Sequence, residues 1–126
     1  MIEIPFPDDF HHHFRDGDVL KDVVSFVSHS FERTIVMPNL KPPVRNVEEA
    51  LAYWDRILAC VEPGHSLTPL MTLYLTDVTT TAEIIRAKES GVIFGIKYYP
   101  AGATTNSEFG VTSVDKIHDV LKVAYD

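Results

Sequence analysis

The sequence predicts an α/β protein built on a parallel β-sheet, and three observations carry that prediction. Short apolar, β-rich runs alternate four times with longer stretches of helical periodicity. Helix-start signatures of the Asn/Thr-x-x-Glu kind stand at two of the junctions. The 126 residues suffice for one sizeable core and leave no room for several domains.

The first run spans Asp9–Phe14, and the helix after it carries Leu20, Val23, Val24 and Val27, with Asp18 placed to cap it. The second run, Arg33–Met37, precedes a helix through Ala50, Leu51, Trp54, Ile57 and Leu58, opened by the capping pair Asn46 and Glu49. The third, Pro69–Leu75, leads to a helix that Thr80 and Glu83 open and Gly91 closes. The fourth, Val92–Tyr98, is followed by a helix that starts at Ser113 and lines up Val114, Ile117, Leu121 and Ala124. The order βαβαβαβα predicts parallel strands with right-handed crossovers. Such sheets carry their functional residues just past the C-terminal ends of the strands, whether open or closed.

Composition narrows the function. Lys and Arg number 11 against 18 Asp and Glu, a net charge of -7, which argues against a general nucleic-acid surface. A small anionic substrate held by one or two local cations remains compatible with it. A single cysteine, Cys60, gives no intrachain disulfide and no thiolate zinc site. It reads as a small buried residue at the end of the second helix. No secretory signal pattern opens the sequence and no apolar run approaches the roughly 20 residues of a membrane span. A cytoplasmic protein with no membrane partner is expected. Nothing matches G-x-G-x-x-G, the P-loop or G-x-S-x-G.

At the end of the first strand, alternation puts His11 and His13 on one face and His12 on the other. Two imidazoles so placed can converge on a divalent ion, although a surface histidine cluster has the same spacing. Arg15 can offer a bidentate fork to a carboxylate, or lie solvated in a loop. Asn39 is fixed in a proline-rich loop, where it can donate and accept at once or serve its own backbone. Asp77 reads as a turn residue without a chemical role. Lys97, inside an apolar strand, needs a partner or a chemical change, such as addition of CO2 to its neutral amine to give a carbamate; otherwise it snorkels. The loop Ala101–Ser107 is small and hydroxyl-rich, suited to hydrogen-bonding a ligand or merely flexible. His29, His65 and His118 read as structural or exposed, and Tyr53 and Trp54 as helix packing.

Together, Asp9–Asp18, Met37–Pro43, Pro69–Asp77 and Lys97–Ser107 resemble dihydroorotase of the single-function type within the amidohydrolase superfamily, in register over essentially the whole chain. The resemblance implies the N-terminal half, (βα)4, of a metal-dependent-hydrolase (β/α)8 barrel, with strands 1–4 and helices 1–4 in residues 1–126 and strands 5–8 absent. It implies reversible interconversion of N-carbamoyl-L-aspartate and L-dihydroorotate in pyrimidine biosynthesis, with two Zn2+ ions per complete active site. His11 and His13 match metal ligands, and Lys97 matches the carboxylated lysine that bridges the two ions. Arg15 and Asn39 match the residues that hold the substrate carboxylate, and Thr104 and Thr105 match the loop that closes over it. The family's remaining ligands, two histidines and the aspartate that serves as base, lie on strands 5, 6 and 8 and have no counterpart here. The chain alone is therefore expected to be weakly active or inactive, and the complete enzyme to be a homodimer. His12 stands where the family usually has an apolar residue, so His12→Leu is expected to keep or raise stability.

Two other classes compete. Asp8, Asp9, Asp77 and Lys97 on a βα repeat superficially fit a response-regulator-like signalling module, which leaves His11, His13, Arg15 and the Pro38–Pro43 loop unexplained. A non-catalytic half-barrel would act by association through its unpaired edge strands.

Overall fold

The computed structural model describes residues 1–125. Its elements are β1 (Asp8–His12), α1 (Val19–Ser28), β2 (Arg33–Val36), α2 (Val47–Leu58), β3 (Thr68–Tyr74), α3 (Thr81–Glu89), β4 (Ile93–Lys97) and α4 (His118–Tyr125), the last preceded by a 3-10 turn over Val114–Ile117. The four strands form one parallel sheet in the order β1-β2-β3-β4. That sequential order is the one the half-barrel expectation requires. A receiver-type module would place its strands 2-1-3-4-5. The signalling alternative is therefore not favoured.

Two of the expected helix starts take the form their residues dictate. Asn46 accepts from Glu49 N–H at 2.8 Å and Thr80 from Glu83 N–H at 3.2 Å, each from an extended backbone. Gly91, at φ +68°, follows α3 in the left-handed conformation that ends helices.

Three boundaries differ from expectation. Asp18 makes no side-chain cap, because its own backbone is already helical (φ -61°, ψ -33°) and a capping carboxylate needs an extended residue. Ser113 opens a 3-10 turn rather than an α-helix, accepting from Asp115 N–H at 3.3 Å. β1 stops at His12, since its pairing with β2 shifts register between Asp9 and His12, and Phe14 then turns fully into the core.

The main core lies between the sheet and helices α1 and α2, where Phe14, Val24, Ala50, Tyr53, Ile57 and Met71 are all essentially inaccessible. A second cluster, Leu75, Ile84, Val111, Ile117 and Val120, seats α3 and α4. Cys60 lies two residues beyond α2 and is half-buried rather than buried. Among the described residues, no helix is long and apolar enough to cross a membrane. The result is a scaffold whose strand C-termini all open on one side.

Candidate functional site

At the end of β1 the pleat does what alternation predicts. His11 and His13 face the same way, with ring centroids 5.2 Å apart and Nε2 atoms 3.2 Å apart. Two nitrogens bound at about 2.0–2.1 Å to one tetrahedral ion lie roughly 3.3–3.4 Å apart, so this pair fits a shared metal. Partial burial holds the His13 pKa below the usual imidazole value, and the nearby Arg15 and His11 add to the effect. His13 is thus neutral at physiological pH and offers a lone pair. His12 points away, against Phe14, and its Nδ1 lies 2.7 Å from Asp9 Oδ2. Asp9 also accepts from His11 N–H at 2.9 Å, so one carboxylate steadies the backbone of one histidine and the ring of the next.

Arg15 follows with a left-handed backbone, φ 65°. Its carbonyl accepts a 2.6 Å hydrogen bond from the hydroxyl of Tyr53, a fully buried side chain of α2. The adjacent Asp16 is held by Arg56 at 2.8 and 3.1 Å, and Arg56 lies over the Tyr53 ring. Asp16 is thereby occupied, and among the described residues no carboxylate pairs with the Arg15 guanidinium.

Asn39 leaves β2 on a proline-fixed loop and is buried. Its amide nitrogen reaches Thr105 O at 3.4 Å, and Asn106 Nδ2 donates back to Asn39 O at 3.1 Å. Asn39 lies close enough to His13 to offset part of the shift there, yet its buried Oδ1 has no donor at bonding distance and angle. A buried acceptor left open beside a cavity is what a ligand-binding amide requires.

Lys97 ends β4, half-buried, with Nζ 5.5 Å from the Tyr99 ring centroid and no carboxylate partner among the described residues. The loop beyond it is closed on itself: Val111 N–H donates to Tyr99 O at 2.8 Å and Ala101 N–H to Val111 O at 3.0 Å. Ser107, fully buried, accepts from Thr104 N–H at 2.8 Å and donates to Thr104 O at 2.5 Å. Thr104 and Thr105 are presented, exposed, at its tip. Gly110 is obligatory here, because a Cβ would stand 2.3 Å from Tyr99 O.

All seven residues singled out in the sequence, His11, His13, Arg15, Asn39, Lys97, Thr104 and Thr105, line a single cavity of about 510 Å³, completed by Tyr98, Tyr99 and Pro100. Among the described residues no Asp or Glu lines it, in a chain of net charge -7. The cavity is therefore a local cationic spot able to take an anion. Asp77 is elsewhere engaged, accepting from Thr112 N–H, Thr112 Oγ1 and Lys116 Nζ at 2.8, 2.6 and 2.7 Å, which gives it a structural part as a staple.

Sequence reasoning missed the residues that hold this cavity in shape. Tyr53 has the spacing of an ordinary core residue, and nothing local marks its hydroxyl. Asn106 carried a signal: asparagine tolerates the left-handed φ of 57° found there, and Tyr74 OH donates to its carbonyl at 3.0 Å.

Comparison with known proteins gives a consistent result, although no family model matches the chain. The dihydroorotase of Picosynechococcus sp. is 59% identical over 121 residues, covering 96% of this chain and 35% of that protein. The dihydroorotase of Aromatoleum aromaticum is 54% identical over 121 residues, with the same coverage of each. Among solved structures, dihydroorotase from Saccharomyces cerevisiae in complex with 5-fluoroorotic acid superposes with a TM-score of 0.85 at 30% identity, over 94% of this chain and 32% of that one. Dihydroorotase from Campylobacter jejuni gives 0.84 at 39% identity, over 93% and 34%. The chain spans about a third of the length of the curated relatives it matches.

Proposed function

We propose, for a chain that corresponds in sequence and fold to the N-terminal portion of dihydroorotases, that it contributes the strand 1–4 part of a zinc-dependent site interconverting L-dihydroorotate and N-carbamoyl-L-aspartate. The observation that carries this reading is the convergence of His11, His13, Arg15, Asn39 and Lys97 on one cavity without a carboxylate.

In this reading His11 and His13, whose Nε2 atoms lie 3.2 Å apart, would hold one metal ion. Lys97, by adding CO2 to its amine with loss of a proton, would become a carbamate, a carboxylate-like donor that would hold metal together with His11 and His13. The cavity is compatible with that change, since none of its lining residues is a carboxylate that would pair with Lys97. When bound, the ions supply Lewis-acid polarisation of the ring amide and activation of water. Arg15 grips the substrate carboxylate through its fork, and Asn39 donates or accepts beside it. Thr104 and Thr105 hydrogen-bond the substrate from the loop tip and limit its exposure to water. Holding an anion in one orientation against the metals is the main contribution these residues make to rate. A cytoplasmic, homodimeric setting rests on the family correspondence alone.

A binuclear centre needs more donors than His11, His13 and Lys97. Among the described residues no further His, Cys, Asp or Glu lines the cavity, and none is assigned as the base. The 126-residue chain by itself therefore turns over little or nothing. Zinc content and dihydroorotate hydrolysis of the purified chain, after incubation with Zn2+ and bicarbonate, test the reading. Zinc retained by the chain, in an amount that falls with His11→Ala and His13→Ala, is expected. Full turnover by the chain alone, or zinc uptake indifferent to both substitutions, contradicts it.

A further inference from the structure

A second group of metal donors lies at the other end of the sheet. His29 caps the C-terminus of α1, just before β2, and Glu62 and His65 lie between α2 and β3. These positions precede their strands, whereas the cavity described above follows them. One ligand atom from each of the three residues lies within 4.8 Å of the others, and His29 Nε2 is 3.4 Å from Glu62 Oε2. The two imidazoles stack, with centroids 3.8 Å apart and planes 19° from parallel.

The local sequence explains this convergence. Glu62-Pro63-Gly64-His65 is a tight turn closed by His65 N–H donating to Glu62 O at 3.1 Å. Gly64 has φ +89°, the value a type II turn demands at its third position, and Pro63 suits the second. The turn thus fixes Glu62 and His65 as neighbours across its closure. Ser25, one helical turn before His29, donates to Glu62 Oε1 at 2.8 Å and leaves Oε2 toward His29. Supporting hydrogen bonds of this kind orient ligating carboxylates. Finally, α1 has no basic residue in its last turn, so its carbonyl end lacks a cation.

We propose that His29, Glu62 and His65 form a surface site for a borderline divalent transition-metal ion, Zn2+ in the first instance, that ties the end of α1 to the α2–β3 turn. Two imidazoles and one carboxylate are a donor set for zinc, whereas Mg2+ and Ca2+ prefer oxygen throughout. The side chains are exposed, and binding requires the two imidazoles to turn out of their stack so that both in-plane lone pairs meet one ion beside Glu62, with water as the fourth ligand. The site is independent of the cavity and acts on stability, by binding the folded chain only.

Calorimetric titration with ZnCl2 of the chain carrying His11→Ala and His13→Ala isolates this site. One zinc per chain is expected, with affinity falling about tenfold or more on adding His29→Ala, His65→Ala or Glu62→Gln. Zinc should also raise the Tm of the doubly substituted chain, and this rise should vanish with His65→Ala. Equal zinc uptake in all variants, or none in the doubly substituted chain with its far-UV spectrum unchanged, overturns the proposal. If the double substitution disturbs the fold, the imidazole nitrogen resonances of the unsubstituted chain decide. Saturable zinc shifts of His29 and His65 support the site, and shifts confined to His11 and His13 refute it.

Discussion

The Tyr53 hydroxyl donates a 2.6 Å hydrogen bond to the carbonyl of Arg15, reaching from the buried face of α2 to a residue held at φ 65°. Arg15 is exposed, so its direction is set from below by this bond rather than by its own packing. Tyr53→Phe keeps the ring and removes the donor, and should cost about 1–2 kcal/mol, read as a lower urea midpoint at unchanged slope. An unchanged midpoint would mean that the bond does not hold the loop.

Gly110→Ala is expected to destabilise by about 1–3 kcal/mol, because the added methyl meets Tyr99 O at 2.3 Å and the loop must reopen to admit it. A thermal melt reads this out, with a wild-type Tm counting against the tight closure of the Thr104–Thr105 loop.

Asp77 gives a pH signature. Its contacts with Lys116 and Thr112 lower its pKa from 3.8 to about 2. The folded state binds this proton more weakly than the unfolded chain does, so the stabilisation is complete above the unfolded value. It is lost as pH falls from about 4 through about 2. Denaturant unfolding at pH 5, 3 and 2 should show wild type losing its advantage over Asp77→Asn across that window. A constant difference between the two would exclude the staple.

The sequence alone makes His12→Leu neutral or stabilising, whereas the contact with Asp9 predicts a small cost. The imidazole pairs with Asp9 at 2.7 Å, both side chains being mostly covered, so the substitution should cost up to about 1 kcal/mol. Zinc retention should be unaffected, since His12 points away from the cavity. Chemical denaturation with parallel zinc analysis separates the two effects.

The residues that line the cavity were legible because parallel sheets place them at strand ends, where His11, His13, Asn39 and Lys97 break an apolar pattern. The βα alternation likewise predicted parallel strands, but the sequential order β1-β2-β3-β4 came from the family resemblance, because open doubly wound sheets share the same alternation. What holds those residues was not legible. The contacts of Tyr53 with Arg15, Asn106 with Asn39 and Lys116 with Asp77 span 38, 67 and 39 positions, and no local spacing encodes them. Asp18 misled because a good capping residue type does not itself set the backbone angle that capping needs.

Whether these residues serve dihydroorotase chemistry is decided by a chimera in which this chain replaces the matching N-terminal segment of the Picosynechococcus sp. dihydroorotase. The expected result is a zinc-loaded protein that hydrolyses L-dihydroorotate, holds less zinc with His13→Ala, and shows mainly a raised KM with Arg15→Ala. A folded, zinc-loaded chimera without hydrolysis, or one indifferent to both substitutions, would contradict the assignment.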